Sequence, residues 1–300
     1  AFEPWELAPG RSTIGGVVGA GFAGSRRILS GGVRDHLLGF SAVNGRGEAF
    51  KAGGRVVKNV TGYDLPKLMA GSWGQLAVLT QITLKVLPRP SETRTLVLQR
   101  LGASAAGKVM GRAMRAPADV AAASYFPALT GADSITAIRL EGFGPSIDAR
   151  ARLLAGLLSD VAPVDTMDAH QADHHWSGVR SGSLLDAENA PPVLWRVCVP
   201  PARGAHTLMS IERLGGVGLL DWAGGLVWAR LPRDASDNVR TTAETAGGHA
   251  LLVNGPDDVR RTVPALHPEA RAVASLSRRV RAAFDPTAIF DPLRFEAPQS

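Results

Sequence analysis

The sequence predicts an α+β chain: a small glycine-dense lobe followed by a domain built on one large antiparallel sheet. Two observations carry this. The order strand–helix–strand–strand–helix–strand occurs twice between residues 93 and 256, and two such βαββαβ units make one sheet with helices on one face. The segment LPRP, with Pro88 and Pro90, punctuates the chain just before the first unit.

The elements follow in order. Residues 36 to 51, HLLGFSAVNGRGEAFK, read as two strands around an Asn-Gly turn. Asp64 is placed to cap a short helix, DLPKLMAG, with Pro66 in its first turn and Gly71 at its end. From 76 to 87 the chain alternates, with Leu76, Val78, Ile82, Leu84 and Val86 on one side and Thr83 and Lys85 on the other, which is strand periodicity. The first unit runs as strand 95–99, helix 103–116, strands 121–126 and 134–140, helix 146–159 and strand 163–167. The second runs as strand 193–199, helix 201–214, strands 217–221 and 225–231, helix 235–246 and strand 249–254. The polar stretch between them, HQADHHWSGVRSGSLLDAENAPP, is expected to be a loop with a short helix. An Arg-rich amphipathic helix, HPEARAVASLSRRVRAAF, leads to a Pro-broken tail expected to return to the first lobe. The expected domains are therefore 1–92, 93–264 and the returning segment 265–300.

Composition narrows the function. The 45% hydrophobic and 20% charged fractions are those of a globular chain. No apolar run is long enough to span a bilayer, and the opening residues lack the pattern of a signal peptide; the expected compartment is the cytoplasm, with any membrane association made through partners. The chain opens without methionine and runs at once into glycine-rich sequence, as a fragment or shortened form does. Cys198 is the only cysteine, which excludes an intrachain disulfide and an iron–sulfur cluster. It lies in the apolar run VLWRVCVP and is expected to be a buried, inert thiol. The net charge of +6 is mostly arginine. The arginines are interspersed with acids and form no basic run with aromatics, so nucleic acid is not expected and anionic ligands or an acidic partner are. His170 and His174 share a helix spacing, but no third ligand is in sight, so no metal is assigned.

Two stretches carry candidate chemistry. TIGGVVGAGFAG brings glycines close together, and a backbone without Cβ atoms can approach a pyrophosphate and offer N–H donors; it matches neither the dinucleotide nor the Walker A pattern. A tight turn with close strand packing accounts for it equally. The second stretch is GGRVVKNVTGYDLPKLMAGSWGQLAVLTQITLKVLPRP, residues 53 to 90. It resembles the second half of the FAD domain of the vanillyl-alcohol-oxidase/PCMH flavoproteins and, more narrowly, the FAD-binding subunits of bacterial glycolate oxidases. The resemblance extends to AFEP, TIGG, Ser25–Arg27 and VRDHLLG. It continues, more thinly, to LWRVCVP, Asp221–Trp222, GGHALL and FDPTAIFDPLRF.

The resemblance implies an FAD domain that here lacks its N-terminal half, followed by a substrate-facing cap domain. It implies FAD near Gly15, Gly16, Gly19 and Gly24, near Lys58, Asn59, Gly62 and Tyr63, and alongside Gly71, Gly74 and Val78. Tyr63 and Asn59 also suit a buried hydrogen-bonded pair that stabilises the turn. The family's Gly-Thr-Leu-Gly reads Gly74-Gln75-Leu76-Ala77 here, so a methyl at Ala77 is set to crowd a backbone close to the flavin. The family's Asn-Pro-Gly-Arg reads Asp291-Pro292-Leu293-Arg294. For a 2-hydroxy-acid substrate such as glycolate, the candidates are Arg196 and Arg294 for the carboxylate and His249 for the hydroxyl proton. An internal salt bridge suits the buried Arg196 equally, and a solvated role suits His249. The implied partners are a second FAD subunit and an iron–sulfur subunit. The alternatives are a flavin-free scaffold subunit and a flavin dehydrogenase of another hydroxy acid.

Overall fold

The computed structural model describes residues 12–55, 62–128 and 132–290. The described chain divides into two compact units. One comprises residues up to Gly24 with Ser30–Pro88 and the stretch from Pro268; the other comprises Ser25–Leu29 and Arg89–His267.

The first unit opens with α1 (Ile14–Ala20); along the chain come α2 (Arg27–Ser30), whose residues up to Leu29 belong to the second unit, and α3 (Val33–His36) of the first. Its sheet has three antiparallel strands, β1 (Leu37–Val43) between β2 (Ala49–Gly53) and a later strand, β3 (Val78–Leu84). β1 and β2 form the expected hairpin. Its five-residue connection is closed by Asn44, whose Oδ1 accepts the amides of Arg46 and Glu48 at 2.9 and 3.0 Å. Gly53, with φ +70°, must be glycine: a Cβ there would lie 2.1 Å from the Leu38 carbonyl oxygen. Between the strands lies α4 (Leu65–Met69), capped as the sequence foretold, with Asp64 Oδ1 accepting the Lys67 amide at 3.2 Å. The sequence put Val78 and Leu84 on one face of β3. An irregularity between Ser41 and Ala42 in its pairing with β1 shifts the phase, so that Val43 opposes Val78 and Ala42 opposes Leu79. Leu79, Ile82 and Leu84 pack on the core of Val33, Leu37, Phe40 and Met69, while Val78 and Val86 are exposed.

The second unit holds one eight-stranded antiparallel sheet. Its first half is β4 (Glu92–Gln99), α5 (Ala103–Arg115), β5 (Val120–Phe126), β6 (Ile135–Gly142), α6 (Gly144–Leu158) and β7 (Asp165–Met167). After α7 (Ala169–Ser181) the pattern repeats: β8 (Val193–Cys198), α8 (Gly204–Arg213), β9 (Val217–Asp221), β10 (Leu226–Leu231), α9 (Ser236–Thr245) and β11 (His249–Asn254). α10 (Asp257–Thr262) follows. The strand order β11-β8-β10-β9-β5-β6-β4-β7 places each half in the same internal order and joins them through β5 and β9. Tyr125 and Leu220 are the pair at that junction.

The pleat sends alternate residues to opposite faces. Leu98, Ala123, Ile138, Trp195, Val197, Leu220 and Val227 point into one core with Val109, Ile147, Leu154 and Leu208 of the helices. The opposite face bears Ala122, Ser124, Ala137, Arg139, Arg196, Asp221 and His249. Part of it is covered by α7, a helix of 13 residues where the sequence suggested a loop with a short helix. Trp176 donates its indole N–H to Thr95 Oγ1 at 2.9 Å, and His175 Nε2 meets Ser124 Oγ at 2.9 Å. Both contacts come from consecutive residues on the buried side of α7, which also holds Gly178 and Val179.

The final helix, α11 (Arg271–Phe284), belongs to the first unit. Val280 and Phe284 pack against that unit's core. Asp285 ends the helix and accepts the amides of Ile289 and Phe290 at 3.0 and 2.7 Å.

Candidate functional site

The first unit shows what its glycines are for. IGGVVGA is a poor helix on propensity alone. It is held by Val18 and Gly19, whose carbonyls accept the amides of Gly71 and Trp73 at 2.9 Å each. A Cβ on Gly21 would lie 3.0 Å from Gly71 Cα, and one on Gly19 would lie 3.7 Å from Gly74 N. Gly21, with φ +66°, thus lets the end of α1 lie against the turn 71–74, whereas at Gly19 an added Cβ would make only an ordinary contact; Gly24 is buried. The other glycines face outward. Gly62, Gly71 and Gly74 have φ of +76°, +85° and +75°, and an added Cβ at any of them would stand in open space. At Gly15 and Gly16 it would meet nothing nearer than Thr13 Oγ1, at 3.9 and 3.3 Å.

Tyr63 is 91% exposed and Val78 55%. The expectation of a buried Tyr63 is therefore corrected: its backbone carbonyl starts α4, and its ring is free of the core. Bare backbone beside an exposed aromatic and an exposed aliphatic side chain suits one wall of a flavin or pyrophosphate site, since side chains there would block the approach. The residues present fit FAD in that sense. Lys58, Asn59 and Arg294 lie outside the described residues. Ala77, expected to crowd a cofactor, instead buries its methyl in the core. Gln75 accepts a hydrogen bond from Arg281 of α11 at 3.0 Å, so both departures from the family pattern serve packing.

In the second unit the open sheet face gathers charge. Arg196 and Cys198 lie on it as neighbours on β8, and Cys198 opposes His249 on β11. Cys198 is half-buried rather than buried. The Arg196 guanidinium lies 4.8 Å from the centre of the Trp222 ring, and Arg27 lies 4.4 Å from it, a doubly cationic stack. Burial pulls Arg196 below its usual range; Cys198 and Asp221 push back, while Arg27 adds like-charge repulsion.

Trp222 sits in a strained turn. Trp222, Ala223 and Gly224 have φ of +53°, +55° and +100°, and two of these are residues that rarely adopt that sign. The buried Asp221 holds it: Oδ1 accepts the Trp222 amide at 2.7 Å and Oδ2 accepts from Ser25 Oγ at 2.8 Å. Gly204 gives the turn room, since a Cβ there would lie 2.1 Å from the Gly224 oxygen. Arg26 reaches the buried Glu141 at 2.6 Å, and Arg139 pairs with the same carboxylate at 2.9 Å. The three consecutive residues Ser25–Arg27 therefore tie β6, β9 and the Trp222 turn together.

His249 stands at the solvent edge of this face. Partial burial lowers its pKa first, then the charge of Arg196, then His267. Its ring centre is 6.4 Å from that of His267. His267 accepts the Ala250 amide at Nδ1 (3.3 Å), so its proton resides on Nε2, which faces Glu244 at 3.3 Å. The arrangement offers a fixed cation for an anionic substrate and a neutral imidazole to take a proton. Sequence reasoning named Arg196 and His249 as candidates, and the structure places them on one sheet face; it gave no role to Arg27, Asp221 or Trp222. The one available signal was the conjunction of Ser-Arg-Arg and Asp-Trp in the family resemblance. His170 and His174 are exposed, and no group of three metal-ligating side chains occurs among the described residues. No described helix is long and apolar enough to cross a membrane.

Comparison with known proteins agrees with this picture. No protein-family model matches the chain. It is 33% identical over 287 residues to glycolate oxidase subunit GlcE of Escherichia coli (strain K12), covering 95% of this chain and 72% of that protein. It is 31% identical over 161 residues to glycolate oxidase subunit GlcD of Bacillus subtilis (strain 168), covering 52% of this chain and 32% of that one. Over 87 residues it is 38% identical to a D-lactate dehydrogenase of Anaerostipes hadrus, 29% of this chain and 18% of the relative. Among solved structures, an alkyldihydroxyacetonephosphate synthase aligns with TM-score 0.60 and 13% identity over 92% of this chain and 56% of its own. The VAO-type flavoprotein MtVAO615 from Myceliophthora thermophila C1 aligns with TM-score 0.60 and 12% identity, over 95% and 61%. The chain thus spans less than two thirds of these solved structures, and at such identities the likeness is one of fold. With the long match to the E. coli subunit, the chain belongs to the GlcE family of FAD-linked glycolate oxidase subunits.

Proposed function

We propose that this chain oxidises a small 2-hydroxy acid, glycolate being the expected substrate, within an assembly that includes a second FAD subunit and an iron–sulfur subunit. The observation that carries the reading is the buried Arg196 guanidinium on the same sheet face as His249, whose pKa is lowered. Gly62, Tyr63, Gly71, Gly74 and Val78 are the described residues that would hold FAD, joined by Gly15 and Gly16; Lys58 and Asn59 are expected to add to them. Bound by these residues, FAD would supply a hydride acceptor. Arg196 binds the substrate carboxylate, and its stack on Trp222 fixes the plane of the guanidinium. His249, neutral because burial and Arg196 disfavour its cation, takes the hydroxyl proton. Arg294 is a second candidate for the carboxylate. Against the flavin-free scaffold reading, two of the three departures that favoured it, Gln75 and Ala77, have a role in internal packing; the third, Leu293, lies outside the described residues.

Dye-linked glycolate oxidation by the assembled complex tests this. Arg196→Lys removes the planar fork and is expected to raise KM by roughly 10- to 100-fold, from about 1.5–3 kcal/mol per charged hydrogen bond. His249→Asn is expected to lower kcat on the order of 100-fold or more. Tyr63→Ala is expected to deplete the flavin absorption bands. Unchanged kinetics in both site variants, with flavin retained, would move the site elsewhere.

A further inference from the structure

In the helix layer of the second unit lies a groove that the catalytic reading uses only at its end, where it reaches Trp222, the ring on which Arg196 stacks. It runs between α5 and α8, has a volume of about 1030 Å³, and ends at Trp222 and Ala223. A second hollow of about 570 Å³ shares Arg112 and Arg115 with it and continues to Leu153 and Leu157 of α6. Those two leucines lie one helical turn apart and are 41% and 37% exposed. We propose that this continuous groove is the docking site for an acidic amphipathic helix of a partner polypeptide.

Three observations select that occupant. The first is size: the two hollows together exceed the range of about 300–1,000 Å³ that a small ligand fills, whereas a helix laid in a groove uses such a length. The second is charge. Lys108, Arg112, Arg115 and His206 line the groove, with no carboxylate among the described residues that line it. Arg112 holds Asp160 at 3.0 Å; Lys108 and Arg115 have no ion-pair partner among the described residues. The third is the floor. Gly107 and Gly111 of α5 both line it, and a Cβ on either would come no nearer than 3.4 Å to another side chain, Ala205 and Arg115 respectively, so packing demands glycine at neither. A glycine inside a helix is unfavourable relative to alanine, and at Gly111 it keeps the trough open for a visiting backbone. The apolar stretch supplied by Met114, Met209 and the two leucines matches the apolar stripe of such a helix.

The test uses the full chain in its own cells, with a photo-cross-linking residue at Ser104 in the groove and, as control, at the exposed Arg213. The expected result is a cross-link from position 104 alone. Peptide mapping should place it on one segment of another polypeptide with apolar residues at helical spacing and Asp or Glu beside them. Lys108→Glu with Arg115→Glu, and separately Gly111→Leu, should each cut recovery of that polypeptide at least tenfold without changing the melting temperature. If one variant fails to fold, the other decides. A cross-link to a second copy of this chain or to a non-acidic segment would overturn the proposal. So would a lipid or other small amphiphile retained in the groove by native mass spectrometry, equal labelling from both positions, or undiminished recovery with a folded variant.

Discussion

Replacing Asp221 by asparagine separates charge from shape at the centre of the polar face. Asp221 is fully buried and accepts hydrogen bonds from the Trp222 amide and from Ser25 Oγ. An asparagine keeps its oxygen toward the amide and turns its NH₂ toward Ser25, whose hydroxyl rotates to accept. The hydrogen bonds survive and the carboxylate charge is lost, while Arg196 and Arg27 remain stacked on Trp222. Removing one partner of a buried charged pair costs about 3–5 kcal/mol. In a unit of this size each kcal/mol lowers Tm by about 2–4 °C, so Asp221→Asn is expected to melt roughly 6–20 °C below the wild type by circular dichroism. The check is a double-mutant cycle with Arg196→Met. If the penalty comes from Arg196, the double variant recovers much of the loss. A single variant within about 2 °C of wild type, or penalties that simply add, would refute the electrostatic account and leave Asp221 as a turn cap.

Further outcomes follow from the same geometry. Burial, and then His174, hold His175 at about 4, against an ordinary 6.5; the native ring stays neutral where the unfolded one gains a proton. Stability is therefore complete above about pH 6.5 and falls by up to about 3 kcal/mol as the pH drops toward 4; urea titrations should show this and His175→Gln should flatten it. The pKa of His249 is lowered, so base catalysis should be retained above neutrality and lost only below the ordinary histidine range. Arg196→Met should move the His249 ring titration upward by NMR, since it removes a repelling charge. Gly53→Ala forces a clash on top of a left-handed backbone and should abolish soluble expression, while Gly62→Ala meets open space and should cost only about 1–2 kcal/mol. Trp176→Phe, losing one buried hydrogen bond to Thr95, should cost about 1–3 kcal/mol in denaturant unfolding.

Most of the secondary structure was legible because the periods were clean. The two βαββαβ units, the Asp64 cap and the 37–53 hairpin all rest on local rules of spacing and capping. What was not legible was non-local. The outward turn of Val78 depends on a pairing irregularity on β1, which no property of the 76–87 stretch contains. α7 is polar in sequence because only His175, Trp176 and Val179 of its longer side chains are buried, so its apolar signal is faint. In the site, Arg196 was conspicuous as a charge in an apolar strand, and His249 followed from its strand start. Arg27 and Asp221 acquire meaning only when residues 25 and 221 meet, and the side chain that needs both, Trp222, gives no sign in sequence that its backbone is left-handed.

The junction of the sheet's two halves carries a mechanical consequence. β4 and β6 are laced by eight residue pairs, whereas β5 and β9 meet at the single pair Tyr125–Leu220. Backbone bonding therefore does little to join the halves, and the join is made by the shared apolar layer beneath and by the Ser25–Arg27 clasp above. Such a sheet is two stiff plates with a compliant line between them. Torsion applied to either half is absorbed at that line, without breaking a ladder, and the clasp residues act as its stop.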